Sequence, residues 1–175
     1  MKNSKVRFIT RTAILLALVV SVQMIGRMLP PGVSNFIVGP LVNACLIVAA
    51  AFAGLWGGVL IAVLSPFTSL INNHAPIATV LLSFAPVIAL GNAVLVVLFY
   101  LLKNKNQILG VAAGAITKFA VLFVGINIFL GVVTVKPQLA KTLGVLFGVA
   151  QLWTALLGGA VALLIIKALG KAIKE

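Results

Sequence analysis

Long apolar runs separated by short polar breaks dominate this chain, and neither a strand-like alternation nor a soluble amphipathic period replaces them. Six runs lie near residues 8–28, 36–55, 58–73, 77–102, 108–133 and 143–167. The breaks between them read LPPGVSN, GLWGG, NNHAP, KNKNQ and VKPQLAKT, rich in the residues that punctuate helices. A bilayer core about 30 Å thick needs about 20 apolar residues to be crossed as a helix. Runs of this length favour helices over barrel strands, which alternate apolar and polar positions. The expectation is an all-α polytopic membrane protein, a compact bundle of six transmembrane helices forming one integral membrane domain over residues 1–175. No stretch remains for a soluble domain.

Small residues recur within the runs at helical spacing. Gly39, Asn43, Ala50 and Gly54 share one face of the second helix. Gly110, Gly114, Lys118 and Gly125 do so in the fifth, and Gly144, Gly148, Gln151, Ala155 and Gly158 in the sixth. Between helices in lipid the hydrophobic effect gives little drive, so small residues that let backbones approach mark the contacts. Each stripe carries one polar residue, which places Asn43, Lys118 and Gln151 toward protein or a cavity, as Asn92 of the fourth helix is expected to be.

Composition sharpens this reading. The chain is 63% hydrophobic and 8% charged, against about 25% charged in soluble domains. Its net charge of +12 would suggest nucleic acid in a soluble protein, but the basic residues fall at span ends. Lys2, Lys5, Arg7, Arg11, Lys103, Lys105, Lys167, Lys171 and Lys174 lie on one side, and Arg27, Lys136 and Lys141 on the other. The positive-inside rule then puts both termini in the cytoplasm, and no nucleic-acid partner is expected. The basic start followed by AILLALVVSV resembles a signal peptide, yet no A-x-A-like site follows, so an uncleaved first span is expected. Cys45, inside the second span, reads as a small packing residue.

Lys118 raises the sharpest chemical question. It sits in GAITKFAVLF, about ten residues or roughly 15 Å from the cytoplasmic end of its helix, too deep for its stem to bring the ammonium to either surface. Such a lysine costs about 3 kcal/mol or more to insert. The chain's single acidic residue is Glu175, past the last span. Three partners remain open: helix carbonyls and the amides of Asn43, Asn92 or Gln151; a carboxylate of another subunit; or an anionic ligand. A second polar cluster, SPFTSLINNHAP, places Ser65, Thr68, Ser69, Asn72, Asn73 and His74 at the outer end of the third helix, where they would form a pocket entrance or an ordinary solvated loop. Pro66 is expected to bend that helix.

Much chemistry is missing. There is no Walker pattern, since the terminal GKAIKE lacks the first glycine and the hydroxyl residue. Paired carboxylates, H-E-x-x-H and G-x-S-x-G are absent too. With one histidine and one acid, general acid-base catalysis has almost no parts, so no enzyme, no cofactor and no metal site is expected. Ion-coupled carriage is disfavoured for want of intramembrane carboxylates.

These features, with AILLA (Ala13 and Ala17) in the first helix and the stretches GPLVNA, ALGNAVLVVLFYLL, TKFAVLF and QLWTALLGG, resemble the S components of energy-coupling factor (ECF) transporters. The resemblance covers the whole chain. It implies a high-affinity substrate-binding subunit of an ABC-type importer in a prokaryotic cell membrane, capturing a vitamin or related micronutrient from outside. It also implies a transmembrane T subunit and two cytoplasmic ATPases as partners, with Ala13 and Ala17 as the docking face. The expected outward pocket lies between the outer halves of helices four to six, with Lys118 at its floor. Asn43, Asn92, Asn127 and Gln151 are candidate polar contacts, and Phe84 and Phe147 candidate apolar walls. Asn127 falls on the opposite face of its helix from Lys118. The chain differs from thiamine- and riboflavin-type members in lacking intramembrane acids and having few aromatics near the mouth. The alternative is an integral structural subunit of another membrane complex, without its own ligand.

Overall fold

The computed structural model describes residues 2–70 and 77–172. Among them the chain is helical throughout, with no strands: α1 Lys2–Arg27, α2 Pro31–Phe52, α3 Gly54–Ser69, α4 Ile77–Leu102, α5 Gln107–Val132, α6 Pro137–Phe147 and α7 Val149–Ala172. Local chemistry accounts for the boundaries. Pro31 and Pro137 occupy first-turn positions of α2 and α6, where a missing N–H costs nothing. Asn106 caps α5, its Oδ1 accepting from the backbone N–H of Ile108 and Leu109 at 2.9 and 3.1 Å.

The six expected spans are present, with two shifts. The break after the second span falls at Ala53 and Gly54 rather than across GLWGG. Gly54 adopts φ +80, a conformation open to glycine without steric cost, so it turns the chain between α2 and α3 instead of extending the Asn43 stripe. The remaining letters of GLWGG form the first turn of α3. The sixth span starts earlier than expected, at Pro137, so most of VKPQLAKT is helical, and it divides at Gly148 into α6 and α7, so the stripe drawn from Gly144 to Gly158 crosses a helix break. Five segments are long and apolar enough to cross a bilayer, α6 and α7 counting together, while α3 is shorter.

Side-chain exposure follows the solvent of a membrane. Ile128, Trp153 and Leu164 are among many large apolar residues turned outward, an arrangement that in water would be one large association surface. Inside, two apolar clusters fill the bundle. One joins Ala44 to Ala50 of α2 with Ile61, Leu95, Val96, Phe99, Val111 and Ala162, and Cys45 packs within it. The other joins Leu81, Phe84, Leu122, Ile126, Leu143 and Phe147.

Glycine governs the closest crossings. A Cβ on Gly114 of α5 would stand 3.0 Å from the carbonyl oxygen of Leu95 in α4. One on Gly158 of α7 would collide with the carbonyl of Pro40 in α2. These sites set the two most extensive helix pairs, α4 with α5 and α2 with α7.

Candidate functional site

Several buried residues are polar. Six of the seven helices contribute one or more: Gln23 and Thr12 from α1, Asn43 from α2, Ser65 from α3, Asn92 from α4, Lys118 from α5 and Thr154 from α7. Asn43, Ser65, Asn92 and Lys118 each lie about ten residues, or roughly 15 Å, from the same end of the bundle, halfway through a bilayer core. They form two separate centres.

The first centre is a pair. Lys118 is only 4% exposed, and its Nζ donates to Oδ1 of Asn43, itself 2% exposed, at 2.6 Å. The helix packing positions both groups. Gly114 seats α5 against α4, and Gly158 brings α7 onto the Pro40–Asn43 stretch of α2, holding the asparagine in the interior beside α5. An ammonium carries three donors, and among the described residues one of them has an acceptor. That acceptor is a neutral amide, and no carboxylate lies among the described residues.

The second centre ties α1, α3 and α4 together. Pro66 lies inside α3 and has no N–H, so the carbonyl of Ala62 loses its helical partner. Ser65 Oγ donates to that carbonyl at 3.2 Å and Asn92 Nδ2 approaches it at 3.5 Å. Asn92 Nδ2 also donates to Ser65 Oγ at 3.0 Å. Gln23 Nε2 donates to the Ser65 carbonyl at 2.9 Å, and Thr68 Oγ1 donates to Gln23 Oε1 at 2.7 Å.

The other candidates are distributed differently from one shared pocket. Asn92 faces α3 rather than Lys118. Gln151 donates through Nε2 to the Leu146 carbonyl at 3.0 Å, capping the end of α6 across the Gly148 break. Asn127 is exposed and donates to the Phe123 carbonyl one turn back at 2.7 Å. Phe84 and Phe147 do meet, edge to face with centroids 4.8 Å apart, and Phe129 lies 5.3 Å from Phe84. They close-pack with Leu122 and Ile126, in the part of the bundle farther along α5 than Lys118.

Sequence reasoning missed Gln23 and misplaced Ser65 and Thr68. Ser65 is 1% exposed and Thr68 is half-buried, so both belong to the interior network rather than to an entrance. The available signal was Pro66, which orphans the carbonyl of Ala62 four residues earlier and so requires a donor nearby. Asn72, Asn73 and His74 lie outside the described residues. Ala13 and Ala17 are both exposed on α1, leaving a small-residue face uncovered.

The family model described as "ECF transporter, substrate-specific component" matches residues 7–170. No curated protein and no solved structure matches the chain.

Proposed function

The chain belongs to the substrate-specific components of ECF transporters, and on that premise we propose that it captures a small anionic micronutrient, vitamin-like in size, with Lys118 as the charge that receives it. One observation carries this reading: a lysine buried at mid-membrane depth with one neutral acceptor. An uncompensated charge there is costly and marks function by default. A ligand carboxylate would take the remaining ammonium donors while Asn43 holds the side chain in place, and Phe84 and Phe147 would line the approach. In this reading α6 gives way at Gly148 to admit the ligand, since Phe147 covers the path and α6 is the shortest helix, packed on α5 and α7 with Phe147 against Phe84 of α4. The chain itself does no chemistry in this scheme.

Mass spectrometry of small molecules released from protein purified in mild detergent tests it. A stoichiometric acid supports the reading; a neutral or cationic compound in that role overturns it.

The exposed Ala13 and Ala17 supply the face that meets the T subunit, while the ATPases act from the cytoplasm. Ala17→Trp should block transport and leave ligand binding by the isolated chain intact, because a large side chain prevents close backbone approach. Normal transport by Ala17→Trp and Ala13→Trp would remove the docking claim. The orientation follows the basic residues, both termini inside. Single cysteines at positions 4 and 104 in a Cys45→Ala background should label from the cytoplasm, and at 33 and 138 from outside.

A further inference from the structure

The end of the bundle that carries the chain's start holds an open cleft of about 670 Å³. Arg7 and Arg11 of α1 and Lys103, just past α4, converge on it around Tyr100 and the α2–α3 turn. The helix geometry accounts for part of this gathering. Arg11 Nη1 donates to the Phe52 carbonyl at 3.0 Å and Lys103 Nζ to the Ala50 carbonyl at 3.4 Å, while Lys103 also stands 4.1 Å over the Tyr100 ring. Those are the last carbonyls of α2, a site that attracts cations. A helix terminus offers only about half a charge, against three full positive charges, and none of the described residues is acidic. The Arg7 side chain has no hydrogen bond among the described residues. The described residues therefore supply no compensating anion.

The neighbouring surface indicates what kind of anion. A second open cleft, lined by Ser4, Lys5, Phe8 and Ile9, shares Ser4 and Phe8 with the first. Its lining is almost entirely apolar, and Val6 and Ile9 are exposed beside it. A polar basic cleft continuous with an apolar one matches an amphiphile: phosphate in the first, acyl chain against the second. We propose that this paired cleft is a binding site for an anionic glycerophospholipid such as phosphatidylglycerol. Basic pockets between membrane helices bind such headgroups. Burial holds the Lys103 ammonium below its ordinary range, and a bound phosphate opposes that shift. The cleft shares α2 with the Lys118–Asn43 pair but lies at the last turn of that helix, away from Asn43.

Native mass spectrometry of the full chain, released from nanodiscs of equal phosphatidylglycerol and phosphatidylcholine, tests the proposal. Wild-type protein should retain phosphatidylglycerol at least tenfold over phosphatidylcholine. Arg7→Gln, which removes no hydrogen bond seen here, should reduce that preference about fivefold with an unchanged unfolding temperature. Lys141→Gln on α6, away from this cleft, should leave the preference as it was. Equal retention of the two lipids, an unaltered preference in Arg7→Gln, or an equal loss in Lys141→Gln would overturn the lipid site. Displacement of the lipid by excess inorganic phosphate would also overturn it, assigning the cleft to free phosphate.

Discussion

The Lys118–Asn43 pair and the Gln23–Ser65–Asn92 network sit at similar depth and are built from similar donors and acceptors, yet their hydrogen bonding is completed to very different degrees. In the network, a backbone carbonyl orphaned by Pro66 is met by a serine hydroxyl and an asparagine amide, and the glutamine bonds through both ends of its side-chain amide. Such a set joins helices and offers a ligand little. In the pair, the lysine nitrogen has one neutral acceptor among the described residues. Neutral polar groups can be satisfied by the bundle's own backbone, whereas an ammonium at this depth calls for a compensating anion. On the proposed function, the difference separates structural polarity from polarity held ready for a partner.

The largest expected effect comes from removing the charge. Lys118→Met keeps most of the side-chain length, so the fold should persist while affinity for an anionic ligand falls by more than a hundredfold. That corresponds to the roughly 3 to 5 kcal/mol typical of losing one partner of a buried charge pair. Calorimetry with the identified ligand measures it, and unchanged affinity would collapse the distinction between the two centres.

Supplying the missing anion from within should have a smaller effect in the same direction. Asn43→Asp places a carboxylate where the amide oxygen now accepts from Lys118, giving the ammonium an internal counter-charge. Anionic ligand should then bind about tenfold or more weaker, as competition for a charge worth a few kcal/mol would produce, and thermal unfolding in detergent should occur at higher temperature. Tighter ligand binding by Asn43→Asp would contradict a lysine held for an external anion.

The smallest effect on binding is expected from the other centre. Asn92→Leu leaves Ser65 Oγ and the Ala62 carbonyl with one donor fewer, a loss of about 0.6 to 2 kcal/mol in stability. Ligand affinity should stay within a factor of about two, since ordinary polar glue away from the charge contributes little to binding. A large binding defect in a stably folded Asn92→Leu protein would bring Asn92 back into the pocket and merge the two centres.

Helical class, the number of spans and the depth of Lys118 were legible in the sequence because each depends on local composition: run length against bilayer thickness, and charge against hydrocarbon. The isolation of Lys118 from any acid was equally plain, since one carboxylate in 175 residues leaves no pairing to infer. Tertiary structure alone decided which amide meets that lysine. Asn43, Asn92 and Gln151 were equivalent as residue types in apolar helices, and the choice among them turned on how the helices cross. Gly158 and Gly114 permit close α7–α2 and α5–α4 approach, leaving Asn43 beside Lys118, while Pro66 frees a carbonyl that draws Asn92 toward α3. Gln151 was claimed by the end of α6, because the chain breaks at Gly148 and the last carbonyls there need donors. A side chain's need for a partner is local and can be read in sequence; which partner it finds depends on helix rotation and spacing, which contacts distant along the chain determine.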